Sequence, residues 1–131
     1  MFRREALAVL AIFFAVSFLD FILNGVLLAS TYEATSNLWR PMSEVSFTLV
    51  FTITLAVSTC FVTMYTLLIE KKSLAAGLRF GCLFGLAVGI YLGFGSYAYM
   101  PIPISLAISW LVGSVIEMTV AGALVGIIVR E

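Results

Sequence analysis

Histidine is absent from this 131-residue chain. That absence removes histidine-ligated haem, carboxylate–histidine metal centres and histidine general bases from consideration within it. Charge is scarce too: only 11 % of residues are Asp, Glu, Lys or Arg and they sum to zero, with no basic stripe of the kind that tracks phosphates. A nucleic-acid partner is therefore not expected. No Gly-rich phosphate loop, nucleophile elbow or Cys-x-x-Cys pair occurs. An enzyme would have to work with two buried acids and two cysteines, so the expectation is a non-enzyme without a metal site. Linkers and low-complexity segments are missing as well, which leaves one domain over residues 1–131.

What fills the chain is hydrocarbon, 63 % of residues being hydrophobic. A water-soluble core of this size could not hide that much apolar surface. Four runs, at about 6–30, 45–69, 73–100 and 104–129, are each long enough to cross a bilayer core roughly 30 Å thick. The expected fold is all-α, an integral membrane four-helix bundle running up-down-up-down. The start, "MFRREALAVLAIFFAVSFL", also reads as the basic and apolar regions of a secretory signal. Because the apolar run continues past Asp20, a retained helix is expected.

Arg3, Arg4, Lys71, Lys72 and Arg130 fall on one side of such a bundle and only Arg40 on the other, so the positive-inside rule puts both termini in the cytoplasm. Tyr32, Trp39, Tyr97 and Tyr99 then sit where an outer aromatic belt would lie. Ser73 is placed to cap the third helix, Pro103 suits the first turn of the fourth, and Pro41 or Ser43 the start of the second. "NGVLLASTYEATSNLWRP" and "VGIYLGFGSYAYMPIP" echo one another, each with Gly, then Tyr, then Pro. A duplicated two-helix hairpin would leave that pattern, and so would the general abundance of Gly and aromatic residues at span ends.

Gly77, Gly81, Gly85, Gly89 and Gly93 recur at four-residue spacing and form a shallow ridge of bare backbone, a glycine zipper. In lipid, where the hydrophobic effect does not drive helices together, small residues permit the close approach that holds them. The ridge is either a helix-packing seam or a surface for a partner helix or a flat apolar ligand such as a quinone, carotenoid or lipid chain. On the fourth helix Ser105, Ser109, Gly113, Glu117 and Ala121 keep the same spacing. Facing the ridge, that stripe would set one carboxyl group in the middle of the seam.

Ionisable residues inside a span mark functional routes by default, because each costs about 2.5–3.5 kcal/mol at the bilayer centre. Glu117 lies roughly 20 Å from either end of its helix, near the midplane. Arg79, roughly 10 Å into the third helix, either reaches Glu117 or snorkels toward the headgroups. Asp20 shares a face of the first helix with Ser17 and Asn24. Together Asp20, Asn24, Arg79 and Glu117 are candidates for a proton or cation path. The threonines of the second helix, Thr52 and Thr59 foremost, either line it or bond their own backbone. Cys60 and Cys82 are equally distant from Lys71, so they fall at similar depth, as a thiol pair or as two small hydrophobes.

"LNGVLLASTYEATSNLWRP", "GLRFG" and "GSYAYMPIP", with Glu117 downstream, resemble small uncharacterised four-helix membrane proteins of bacteria and archaea. The resemblance covers most of the chain and implies a fold and an inner-membrane location, with no activity or cofactor to transfer. Fluoride channels and small multidrug transporters are similar in length and span number, but their characteristic motifs are not found here. Two readings follow: a small transporter- or channel-like bundle using the intramembrane carboxylates, or a noncatalytic accessory subunit or scaffold. Both expect contact with membrane lipids and assembly as a homo-oligomer or within a membrane complex.

Overall fold

A computed structural model describes residues 2–130. They form four helices long and apolar enough to cross a membrane, at Phe2–Leu27, Phe47–Leu68, Leu74–Tyr99 and Ile104–Ile128, and no strand is found among them. They are called the first to fourth spans below. Lipid-compatible structure must satisfy its own backbone, which helices do within each segment. Sequential spans run antiparallel, so the chain ends, joined by the Arg4–Arg130 hydrogen bond, and the 69–73 turn share one end of the bundle. The 28–46 connection and the Met100–Pro103 turn share the other.

Span boundaries follow local chemistry. The second span starts at Phe47 because the Ser46 hydroxyl accepts from Leu49 N at 3.3 Å, so neither Pro41 nor Ser43 begins it. Those two lie earlier, where a 3-10 turn covers Met42–Glu44. Ser73 caps the third span as expected, accepting from Ala76 N at 3.1 Å. Pro103 is the cap residue of the fourth span rather than part of its first turn, and its carbonyl takes the amides of Leu106 and Ala107.

Two spans change pitch on the way. The first is α-helical to Asp20 and π-helical over Phe21–Leu27. There Asn24 Nδ2 donates to the Asp20 carbonyl at 3.3 Å and competes with the backbone for that acceptor. The third span turns π-helical over Ile90–Phe94. Each π segment leads to a short helix, Ala29–Ala34 or Gly95–Tyr99, so the sequence echo between these stretches has a counterpart in backbone geometry.

The third and fourth spans form the most extensive pair, and the glycine ridge is their seam. Gly77, Gly81, Gly85, Gly89 and Gly93 are all buried. A methyl group on Gly85 would stand 2.5 Å from the Ser114 carbonyl oxygen, and one on Gly93 2.5 Å from that of Ala107. At Gly77 and Gly81 it would run into the carbonyl oxygens of Gly122 and Met118. The ridge is thus filled by backbone of the same chain, with no space for a partner helix or a flat ligand. Its counterpart is the face through Ala107, Leu111, Ser114, Met118, Gly122 and Gly126. The Ser105–Gly113–Glu117–Ala121 stripe is not that face: Gly113 packs on Leu23, and Ala121 joins the core with Ala8 and Ile12. Helical rotation separates the two stripes, and the glycines at 122 and 126 decide which one the ridge selects.

The first span lies against the fourth and the second. The second meets the third through rings: Phe61 packs against Phe80 and Phe84 with centroids 4.9 and 5.2 Å apart, and Tyr65 against Phe80 at 5.8 Å. Buried Tyr65 also fastens the 69–73 turn, its hydroxyl donating to Ser73 O and accepting from Ser73 N, both at 3.1 Å. At the same end Arg4 donates to the Arg130 carbonyl at 3.1 Å. At the far end a smaller core gathers Leu28, Ile102, Leu106 and Ala107.

Candidate functional site: a carboxyl pair between two cavities

Asp20 is the last α-helical residue of the first span, and Glu117 lies in mid-course of the fourth. Packing of these two helices puts both side chains on the lining shared by two cavities. Glu117 is only 8 % exposed, and its Oε1 is buried without a donor. A carboxyl group can donate to another only while it carries a proton, so a hydrogen bond between the pair requires one. Two adjacent carboxylates in a medium of low permittivity repel strongly, and sharing one proton relieves that repulsion.

The pair sits where two cavities adjoin. The first, of about 310 Å³, has a floor of Ile12, Phe61 and Met118, with Thr54 and Ser58 on the second-span side. Its rim is open: Ile53 of the second span is 53 % exposed and Leu92 of the third 50 %. The gap between those two spans therefore leads sideways toward the apolar surroundings of the bundle. The second cavity, of about 340 Å³, lies toward the loop end and adds Leu23, Asn24, Tyr32 and Trp110. Asp20, Leu92, Ser114 and Glu117 line both, and no Lys or Arg lines either.

A hydrogen-bonded chain walls the second cavity. Trp110 Nε1 donates to the Tyr32 hydroxyl at 2.7 Å, which donates to Asn24 Oδ1 at 2.6 Å, while Asn24 Nδ2 reaches the Asp20 carbonyl. Trp39 packs edge-on against both Tyr32 and Trp110, at 5.4 and 5.9 Å, and its own N–H donates to Thr35 Oγ1 at 2.8 Å. Burial, with a smaller push from Asp20, holds the Tyr32 phenol above its ordinary pKa against the opposing pull of the Trp110 hydrogen bond. Tyr32 is accordingly a neutral donor near pH 7. Only Tyr97 and Tyr99 of the four expected belt residues are exposed, because Tyr32 and Trp39 turn inward to build this wall.

No family model, curated protein or solved structure matches this chain. The site is therefore read from its own chemistry.

Of the residues singled out in the sequence, Asp20, Asn24 and Glu117 come together. Arg79 does not join them: its side chain is exposed and its Nε donates to the Ala75 carbonyl at 3.4 Å, one turn back toward the chain-terminus end. Thr52 and Thr59 lie on the outer face of the second span, and their hydroxyls donate to Thr48 O at 2.7 Å and Leu55 O at 2.8 Å. The hydroxyl-bearing residues of the second span that line the first cavity are instead Thr54 and Ser58, and buried Ser58 donates to Thr54 O at 2.7 Å. Cys60 and Cys82 are free thiols, both exposed on outer faces. Trp110 and Ser114 were missed although they precede Glu117 by seven and three residues, which places all three on one helical face. Tyr32 reads as a belt residue in the sequence because Trp110, which ties it to the fourth span, is 78 positions away.

Proposed function

We propose that this protein is a small proton-coupled transporter- or channel-like bundle in which Asp20 and Glu117 bind and release a shared proton at the junction of two cavities. The observation that carries the reading is the buried Glu117 carboxyl group, which lines the same two cavities as Asp20 and has space on either side. The scaffold reading loses its main support, because the fourth span fills the ridge on which a partner or apolar ligand was to dock. Placement in a bacterial or archaeal inner membrane with cytoplasmic termini, assembly as a homo-oligomer and the lack of enzymatic activity belong to the same proposal. Membrane and orientation rest on the resemblance and on the distribution of basic residues, and the lack of activity on the missing catalytic motifs; assembly would have to use a face other than the glycine ridge, which the fourth span fills.

The test is proton flux into liposomes across an imposed pH gradient, followed with an entrapped dye. Wild-type protein carries a flux above that of empty liposomes, and Glu117→Gln removes it while circular dichroism shows the helices intact. Equal flux in the two proteins would end the role given to Glu117.

A further inference from the structure

We propose that the first cavity binds an apolar organic amine in its ammonium form, and that binding displaces the proton shared by Asp20 and Glu117. This inference rests on the transport reading and names its substrate class.

The cavity has the two halves such a molecule needs. Ile12, Val57, Phe61, Val88 and Met118 offer hydrocarbon to an apolar body, and the carboxyl pair lies at one side. A volume of about 310 Å³ is at the small end of the roughly 300–1,000 Å³ typical of ligand sites. A single ring bearing a short aminoalkyl chain is of that class. The open rim between the second and third spans gives the apolar body a path from the surrounding lipid. The ammonium group meets acceptors at the carboxylates and at the Thr54, Ser58 and Ser114 hydroxyl oxygens.

Charge decides among ligand classes. The acids facing the cavities are Asp20 from the first span and Glu117 from the fourth; Tyr32, from the helix after the first span, is a neutral phenol. The second and third spans contribute no charged side chain to the lining, and Arg79 points elsewhere. An anion would meet one carboxylate and no cation. A neutral ligand would leave the buried Glu117 oxygen without a donor or the proton in place. An ammonium group supplies three donors and one positive charge. The exchange balances: the pair with one proton carries one negative charge, and the pair without it, plus the ammonium, carries one as well. The proton leaves as the N–H donors arrive, by way of the more polar second cavity. Such exchange couples amine movement to the proton gradient without net charge transfer at the site.

The experiment is titration calorimetry of the detergent-solubilised protein with 4-phenylbutylamine, 4-phenylbutan-1-ol and 4-phenylbutanoate, in two buffers of different ionisation enthalpy. The amine is expected to bind at least about tenfold more tightly than the alcohol, with the carboxylate not bound. About one proton should be released per amine, so amine affinity rises by up to about tenfold per pH unit while the pair is protonated. Glu117→Gln and Asp20→Asn should each abolish proton release. Ser58→Leu, which keeps both acids and fills the cavity, should abolish amine binding, so the test stands even if an acid variant does not fold. Alcohol binding as tight as amine binding, or amine binding without proton release, overturns the inference. Flux is measured without amine, so either result leaves the proton reading intact. Proton-releasing amine binding with no proton flux even when 4-phenylbutylamine is loaded inside the liposomes would retain the site and end the transport reading.

Discussion

Replacing Gly81 by alanine should destabilise the bundle, whereas the same replacement at Gly95 should not. At Gly81 the new methyl group runs into the Met118 carbonyl oxygen and comes within 2.9 Å of Gly122 Cα. Both obstacles are backbone, so relief requires the third and fourth spans to move apart by about 1 Å, a gap that forfeits a quarter to a half of each contact's attraction. The seam runs about 24 Å from Gly77 to Gly93 at 1.5 Å per residue. On the order of 30 atom pairs along it, at about 0.1–0.2 kcal/mol each, supply about 3–6 kcal/mol, of which about 1–3 kcal/mol would be lost. Alanine returns up to about 1 kcal/mol through its better helix propensity, so the net cost is up to about 2 kcal/mol. At Gly95 a Cβ finds no atom within 4 Å, and only the propensity gain of up to about 1 kcal/mol operates. Thermal unfolding in detergent, followed by circular dichroism, should order the proteins Gly81→Ala, wild type, Gly95→Ala by rising midpoint. A Gly81→Ala midpoint equal to or above that of Gly95→Ala would refute the account of the seam.

Tyr32→Phe removes the acceptor of Trp110 Nε1 and the donor to Asn24, at a cost of about 1–3 kcal/mol for the stranded groups; tryptophan emission should shift, and an unchanged spectrum would argue against the wall. Thr52→Val should change stability by less than about 0.5 kcal/mol and leave proton flux unaltered, because its hydroxyl serves only its own backbone. Flux lost in that variant would restore Thr52 to the route. Cys60→Ala should leave the maleimide labelling of Cys82 in detergent unchanged, and Cys82→Ala that of Cys60, since the two thiols are unbonded. Protection of one thiol by the other would revive the pair.

The bundle was legible because lipid imposes one rule on every span: apolar length with internally satisfied backbone. The glycine ridge was legible for the same reason, as close approach has few sequence solutions. Its partner face was not, since the fourth span carries two stripes of small residues and only interhelical rotation chooses between them. Asp20, Asn24 and Glu117 announced themselves by the cost of polar atoms in hydrocarbon. Thr52 and Thr59 misled because threonines recur on both sides of the second span, and hydroxyls bonded to their own backbone leave no trace in composition. The Tyr32–Trp39–Trp110 wall joins residues up to 78 positions apart, a distance over which periodicity carries no information.

The π segments at Phe21–Leu27 and Ile90–Phe94 give the bundle two rotational phases. A π turn holds one residue more than an α turn, so everything beyond it is rotated by about 100° relative to an uninterrupted helix. In the first span this junction falls directly after Asp20. The acid is therefore oriented by the chain-terminus half of the helix, and Asn24 and Tyr32 by the loop half. Deleting a single residue within Phe21–Leu27 would leave Asp20 facing Glu117 and swing the wall of the second cavity away from both, so each half of the site can be re-registered while the other stays in place.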